Sequence, residues 1–266
     1  MGLAVDPLGQ SFANYIRDVV IPMKGGKLCV NDKNVFVEGE PYALSIKRIV
    51  SLILTESDSF DTHRQQDAVE PLEPLLVKVP GPSFYMFDFV ITRTCKNQNC
   101  GYTFRDDRSQ NETGILHVPI PATCPMQFDL KDALKYVFEG DPSLRHELRC
   151  DSCHRRSIQE GQILTSAPEF LILHLVRFTS DLQKLTQECI PLQEIDIPVY
   201  GDTHVVHRYK LTCIVEHRGE EYAAGHYVTY VRLHDSWLEV DDSDLYYVNA
   251  HQLTWQPYIL IYHRQE

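Results

Sequence analysis

The chain has no apolar run near the length of a membrane span and no cationic leader, so nothing in it reads as an anchor or a secretion signal. It has no internal repeat and no low-complexity stretch, and no disordered tail is needed to explain its composition. Positive charge is scarce: 25 Lys and Arg stand against 37 Asp and Glu, a formal charge of -12. Sequence-independent binding to nucleic acid needs clustered cations, so that class is excluded, whereas a basic partner would suit the surface. The 266 residues, 43% of them hydrophobic, suffice to bury one large core of mixed secondary structure. Eight cysteines, four of them in close pairs, point to the reduced cytosol or nucleus rather than export. Asn111-Glu-Thr113 is then a chance sequon.

Between Glu221 and Asp242 the sequence EYAAGHYVTYVRLHDSWLEVDD sets one histidine against two carboxylates. Tyr227 to Arg232 and Trp237 to Val240 are rich in β-branched and aromatic residues, and His234-Asp235-Ser236 between them supplies a turn. Folding there brings His226, which opens the first strand, roughly opposite Asp241 and Asp242, which close the second. A carboxylate so placed holds an imidazole in one tautomer and stabilises the imidazolium, as in a catalytic triad. Gly225 leaves room for another backbone to come close. The same residues also fit a surface hairpin whose histidine packs or meets water.

Two short cysteine loops form a second constellation. Cys95-x4-Cys100 and Cys150-x2-Cys153 are separated by 49 residues, and two such loops brought together supply four thiolates for a tetrahedral Zn²⁺. Four reduced thiols without metal are the alternative. His154, next to Cys153, reads as a bystander.

Four more segments complete the pattern: Gln65-Gln-Asp-Ala-Val-Glu70, Ala167-Pro-Glu-Phe-Leu-Ile-Leu-His-Leu-Val-Arg-Phe178, and the strand-like runs Tyr209–His217 and Pro257–His263. Together with Gly225-His226-Tyr227 and the Trp237 strand ending in Asp241-Asp242, they resemble the ubiquitin-specific proteases, papain-like deubiquitinases, in family order over roughly residues 43 to 264. The resemblance implies an α+β, papain-like ubiquitin-specific protease fold. An antiparallel palm sheet would carry the histidine box, zinc-bearing β fingers would occupy roughly 87–165, and the thumb would be largely missing. Residues 1–40 form an irregular segment ahead of the domain at 41–266. By motif position, His226 is implied as general base, Asp241 as its orienting carboxylate and Asp242 as a polar group near the oxyanion. Cys95, Cys100, Cys150 and Cys153 are implied as structural zinc ligands, and Asp67 and Glu70 as acidic residues facing the arginine-rich tail of ubiquitin.

Two departures qualify the resemblance. Pro71 and Pro74 remove backbone donors and crowd the preceding turn, so the helix expected from Gln65 must start late, kink or shorten. The family's Gly-Asn-Thr-Cys-Tyr-like segment, which bears the nucleophile, is not found, and only 64 residues precede Gln65. Without a thiol a His–Asp pair has no acyl-enzyme route. Cys29 is the only cysteine ahead of Gln65 and hence the positional candidate for a substitute nucleophile, although Leu28 and Val30 read as a short apolar strand around it. Cys124 and Cys189 fall in segments without a family role, and Cys213 alternates with Leu211 and Val215 as core. Two functions follow: a noncatalytic relative that binds ubiquitin or a ubiquitinated partner, or an active thiol hydrolase of ubiquitin isopeptide bonds.

Elsewhere the spacing predicts helices at 12–20, 43–54 and 129–138, and strands at 87–94 and from 158 through 178. A solvated loop is expected at 105–113, and another beside the substrate cleft at 196–206.

Overall fold

The computed structural model describes residues 29–31, 34–36, 67–73, 76, 84–120, 125–140, 146–200, 204–222, 224–233, 235–242 and 244–265. The helices expected at 12–20 and 43–54, along with Gln65, Gln66 and Cys124, lie outside these residues. The chain divides into two compact units, Met1–Pro82 with Thr212–Leu253, and Ser83–Leu211 with Thr254–Glu266.

In the first unit β1 (Cys29–Asn31) and β2 (Asn34–Phe36) form an antiparallel ribbon with Cys29 opposite Phe36. Cys29 therefore stands in a short strand, as its neighbours suggest. The acidic segment at 67–73 starts its helix late. Asp67 turns back on itself, its Oδ1 accepting the Val69 N–H at 2.9 Å, and helix-like bonding begins only where Leu72 N–H reaches Val69 O, also at 2.9 Å. Pro71 sits just before that point, where a missing N–H costs nothing.

The second unit opens with β3 (Phe87–Cys95), β4 (Thr103–Thr113), β5 (Ile115–Pro119) and β6 (Gln127–Asp129). Helix α1 (Leu130–Phe138) follows and buries Leu130, Ala133, Leu134 and Val137, the stripe its 3.6-residue period prescribes. Then come β7 (His146–Arg149), β8 (Arg156–Leu164), β9 (Phe170–Val176), β10 (Glu188–Ile190), β11 (Glu194–Tyr200) and β12 (His204–Glu221). Strand β9 pairs in parallel with β5, and its unbroken run FLILHL is buried throughout, because a strand covered on both faces needs no polar alternation. Beyond it Arg177 is fully buried; its Nε donates to Pro257 O at 2.7 Å and its Nη1 to the carbonyls of Leu185 and Gln187 at 3.0 and 2.8 Å.

Two expectations are corrected here. The polar run 105–113 is not a loop but most of β4, paired antiparallel to β3 from Phe87–Thr113 to Thr94–Thr103. The ladder uses backbone groups only, so exposed charges suit a sheet edge that must resist further pairing. Residues 196–200 and 204–206 are likewise strand: β11 pairs antiparallel to the start of β12, with Ile195, Ile197 and Val199 buried in alternation.

From Thr212 onward β12 belongs to the first unit, where it begins an antiparallel meander with β13 (Ala224–Leu233), β14 (Ser236–Asp241) and β15 (Asp244–Val248). The final strand, β16 (Pro257–Arg264), returns to the second unit and pairs antiparallel with β9 and with Tyr209–Leu211 of β12.

Candidate active site and cysteine cluster

Strand register alone dictates which side chains meet on the meander. Thr229 faces Val240 and Tyr230 faces Glu239, so Val228 stands across from Asp241, and His226, two residues back, lies on the same side as that carboxylate. On β12, Arg218 pairs with His226 and Glu216 with Val228. One face of three strands thus gathers Glu216, Arg218, His226, Tyr230, Glu239 and Asp241. The hairpin between β13 and β14 is tighter than expected, with Leu233 paired to Ser236.

His226 Nε2 lies 2.5 Å from Asp241 Oδ1. A carboxylate accepts only, so the imidazole donates from Nε2, which in the neutral ring leaves the lone pair on Nδ1. No bond to Nδ1 is formed among the described residues, and the side chain is 42% exposed, so this nitrogen can take a proton from an approaching group. Asp242 follows with φ at 51°, in the turn closed by the Asp241–Asp244 pair, and its carboxylate lies within 4.8 Å of the His226 and Asp241 ligand atoms. The structure thus brings together the three residues that the sequence singles out.

Asp241 has a second partner that sequence reasoning missed. Arg218 Nη1 approaches Asp241 Oδ2 at 3.4 Å, Nε donates to Glu216 at 3.1 Å, and Nη2 donates to Tyr230 Oη at 2.8 Å and Glu239 at 2.9 Å. Burial opposes the guanidinium charge, but Glu239, Tyr230 and Glu216 outweigh it and raise the Arg218 pKa. Tyr230 itself is pushed up to about 12, by burial first and then by Glu216.

The opposite face of β13 carries Tyr227, whose ring meets that of His217 at 4.9 Å between centroids. Tyr227 Oη accepts the Ala68 N–H at 3.3 Å, and burial followed by the charges of Asp67 and Glu70 raises the Tyr222 pKa. The acidic pair therefore stands against the hairpin of His226, but by way of tyrosines rather than on the face of the histidine. At Gly225 the space is taken by a side chain as well as by backbone: the His217 imidazole lies over it, and an added Cβ would also stand 2.7 Å from Arg218 O.

Of the remaining thiols, Cys213 pairs with Val231 and so points away from the His226 face, and burial pushes its pKa up to about 12. Cys189 is buried in the second unit. Cys213 therefore offers no nucleophile to His226.

The four paired cysteines lie at the turns of two adjacent hairpins. Cys95 ends β3 and Cys100 precedes β4, Cys150 and Cys153 lie between β7 and β8, and β3 pairs with β8 through Cys95 and Ile158. Sγ atoms of Cys95 and Cys153 are 3.6 Å apart and those of Cys100 and Cys150 are 3.7 Å apart. Both are near the roughly 3.8 Å edge of a tetrahedron with metal–sulfur bonds of about 2.3 Å, and far beyond a disulfide. All four sulfurs fall within 4.8 Å of one another. The N–H of Arg155 is the main cause lowering Cys153 to about 6. At Cys150 the Cys153 N–H pulls downward, but burial and the Cys100 and Cys95 thiols prevail and push it to about 11. The residue after each second cysteine is left-handed, Gly101 at φ 61° and His154 at φ 60°. His154 serves the loop through its backbone and is not among the clustered donors.

Comparison with known proteins accords with this geometry. A family model described as ubiquitin carboxyl-terminal hydrolase matches residues 12–262. The chain is 34% identical over 235 residues to ubiquitin carboxyl-terminal hydrolase 20 of Arabidopsis thaliana, covering 79% of this chain and 32% of that protein. Over 132 residues it is 32% identical to ubiquitin carboxyl-terminal hydrolase 21 of the same plant, covering 46% and 18%. This chain thus spans about a third or less of the length of these relatives. The SAGA Ubp8/Sgf11/Sus1/Sgf73 DUB module bound to ubiquitin aldehyde superposes with a TM-score of 0.67 at 16% identity, covering 98% of this chain and 65% of that one. The SAGA DUB module with a point variant of Ubp8, bound to monoubiquitin, gives 0.63 at 18%, covering 84% and 54%. Such identities speak to fold alone, and the fold is the sheet-rich, papain-like one expected from the sequence. With a family model running nearly end to end and the histidine box on adjacent strands of one meander, the chain belongs to the ubiquitin carboxyl-terminal hydrolase family, as a member of its ubiquitin-specific protease group.

Proposed function

We propose that this 266-residue chain acts in the deubiquitination pathway as a noncatalytic module that binds ubiquitin or a ubiquitinated protein. The observation that carries this is a histidine–carboxylate pair with no thiol on its face among the described residues: no cysteine box is found in the sequence, and Cys213, on the strand paired with that of His226, is buried on the opposite face. Cys95, Cys100, Cys150 and Cys153 would hold one structural Zn²⁺, which would tie the two hairpin turns together. Asp67 and Glu70 would meet the basic tail of ubiquitin. The two solved relatives were both captured with ubiquitin, which supports the choice of partner. The reduced cytosol or nucleus is the matching compartment.

A second reading, an active thiol hydrolase, is favoured by the lone pair on His226 Nδ1. With Cys29, or a thiol from sequence outside this chain, Nδ1 would take the thiol proton while sulfur attacks the isopeptide carbonyl, then return it to the leaving lysine amine. Asp241 would stabilise the imidazolium between the two steps. The test is a ubiquitin probe with a carboxy-terminal electrophile, run on the chain and on Cys29→Ala, with noncovalent ubiquitin binding recorded alongside. Binding without an adduct supports the noncatalytic reading. An adduct lost in Cys29→Ala overturns it in favour of the hydrolase, and absence of both sinks ubiquitin as the partner.

A further inference from the structure

The arginine in contact with the carboxylate of the His226–Asp241 pair lies outside every segment carrying the family resemblance. Arg218 falls between the strand ending at His217 and the histidine box, yet its guanidinium touches three carboxylates and a phenol on the His226 face. Three contacts pin its plane: Nε on Glu216 at 3.1 Å, and Nη2 on Glu239 and Tyr230 at 2.9 and 2.8 Å. Glu216 and Glu239 are largely shielded, with side chains 16% and 17% exposed, so these anchors are less screened than surface pairs. A planar fork held at Nε and Nη2 has no freedom left at Nη1, which faces Asp241 Oδ2 at 3.4 Å. Asp241 is thereby gripped on both oxygens, by Arg218 on one and by His226 on the other.

We propose that Arg218 is the positioning residue of the His226–Asp241 pair, holding the Asp241 carboxylate so that His226 keeps one tautomer, with the proton on Nε2 and the lone pair on Nδ1. Without its charge, Glu216, Glu239 and Asp241 would face one another uncompensated, and repulsion would turn Asp241, the least buried of the three, out of line with the imidazole. This rests on reading the pair as the family's base and orienting carboxylate, and holds whether or not a thiol is supplied.

The test is nitrogen NMR of the full chain labelled with ¹⁵N-histidine at neutral pH, comparing wild type, Arg218→Met, Arg218→Lys and Glu239→Gln. The wild type should show His226 as one neutral tautomer protonated at Nε2, with a slowly exchanging, downfield Nε2 proton. Arg218→Met should lose that proton signal and average the two ring nitrogens, and Arg218→Lys should restore part of the pattern because the charge returns without the fork. Glu239→Gln removes one anchor and should move the signals the same way by less, which covers the case where Arg218→Met fails to fold. A wild-type pattern in folded Arg218→Met overturns the proposal, as does one in both Arg218→Lys and Glu239→Gln. Ubiquitin titrated into the same wild-type sample separates the two readings: failure to bind sinks the proposed function and leaves the tautomer result standing.

Discussion

The imidazole of His217 occupies the space that a side chain at Gly225 would need. A Cβ there would collide with Nε2, come within 2.5 Å of Cε1 and stand 2.7 Å from Arg218 O. His217 is buried, so it has no open direction in which to yield. Gly225→Ala should therefore destabilise the chain by about 1–3 kcal/mol through overpacking, read as a lower urea midpoint at unchanged slope. A variant as stable as wild type would mean that the His217 ring does not lie there.

A zinc ion held by the four thiols would contribute to stability. The purified chain should carry about one zinc by elemental analysis, and Cys150→Ser should bring this near zero while lowering the unfolding temperature, since binding energy at a structural site is folding energy. A chain purified without chelators that holds no zinc, yet melts as cooperatively as Cys150→Ser, would leave the four thiols as simple core cysteines.

His154 presents a cleaner backbone test at the same loop. Its φ of 60° lies in the left-handed region, which costs a non-glycine residue about 1–2 kcal/mol. His154→Gly should keep the metal and gain up to about 1 kcal/mol, whereas His154→Val should resist chelation less well than wild type because a branched Cβ tolerates this conformation poorly. Metal loss in His154→Gly would instead make the imidazole a ligand.

The difference between what the sequence disclosed and what it hid follows from the range of each interaction. His226 and Asp241 were legible because a hairpin with period-two alternation fixes both, and α1 because its apolar stripe is local. Arg218 was not, since its partners come from three strands and their register is set by pairing that no local pattern encodes. In β4 the polar run suggested a loop, but ladder bonds are indifferent to side chains. In β11 the alternation of Ile195, Ile197 and Val199 was present, while Asp196 and Pro198 between them gave the stronger, misleading loop signal. The late helix start after Asp67 was readable because proline acts on its own immediate neighbours.

Alkaline stability should report on Cys213. Burial pushes this thiol from 9.0 up to about 12, so between those values the native state keeps a proton that the unfolded chain has released. Unfolded chains then bind fewer protons, and stability from this group is complete below pH 9 and falls as pH rises, by at most about 1.4 kcal/mol per pH unit. Urea unfolding at several alkaline pH values should show a shallower decline in Cys213→Ala than in wild type. Parallel declines would place the thiol in contact with water.

Arg177 should prove the most costly single residue to remove in the second unit. It is fully buried at the end of β9 and donates to the carbonyls of Pro257, Leu185 and Gln187, which belong to the start of β16 and to the chain between β9 and β10. Arg177→Met keeps much of the volume but leaves three carbonyl acceptors, that of Pro257 buried and those of Leu185 and Gln187 half-buried, without this donor, and each loss to a charged group is worth about 1.5–3 kcal/mol before relaxation. Arg177→Lys keeps the charge but offers one nitrogen where the guanidinium uses two, so it cannot serve Pro257 on one side and the Leu185 and Gln187 carbonyls on the other at once. Both variants should lower the unfolding temperature, Arg177→Met by the larger amount and by about 3 kcal/mol or more in urea. Because His226 lies in the other unit, the imidazole tautomer pattern in the residual folded population should stay as in wild type. A small loss in Arg177→Met would show that water or a neighbouring donor replaces the guanidinium, and Arg177→Lys at wild-type stability would show that charge rather than geometry ties these segments together.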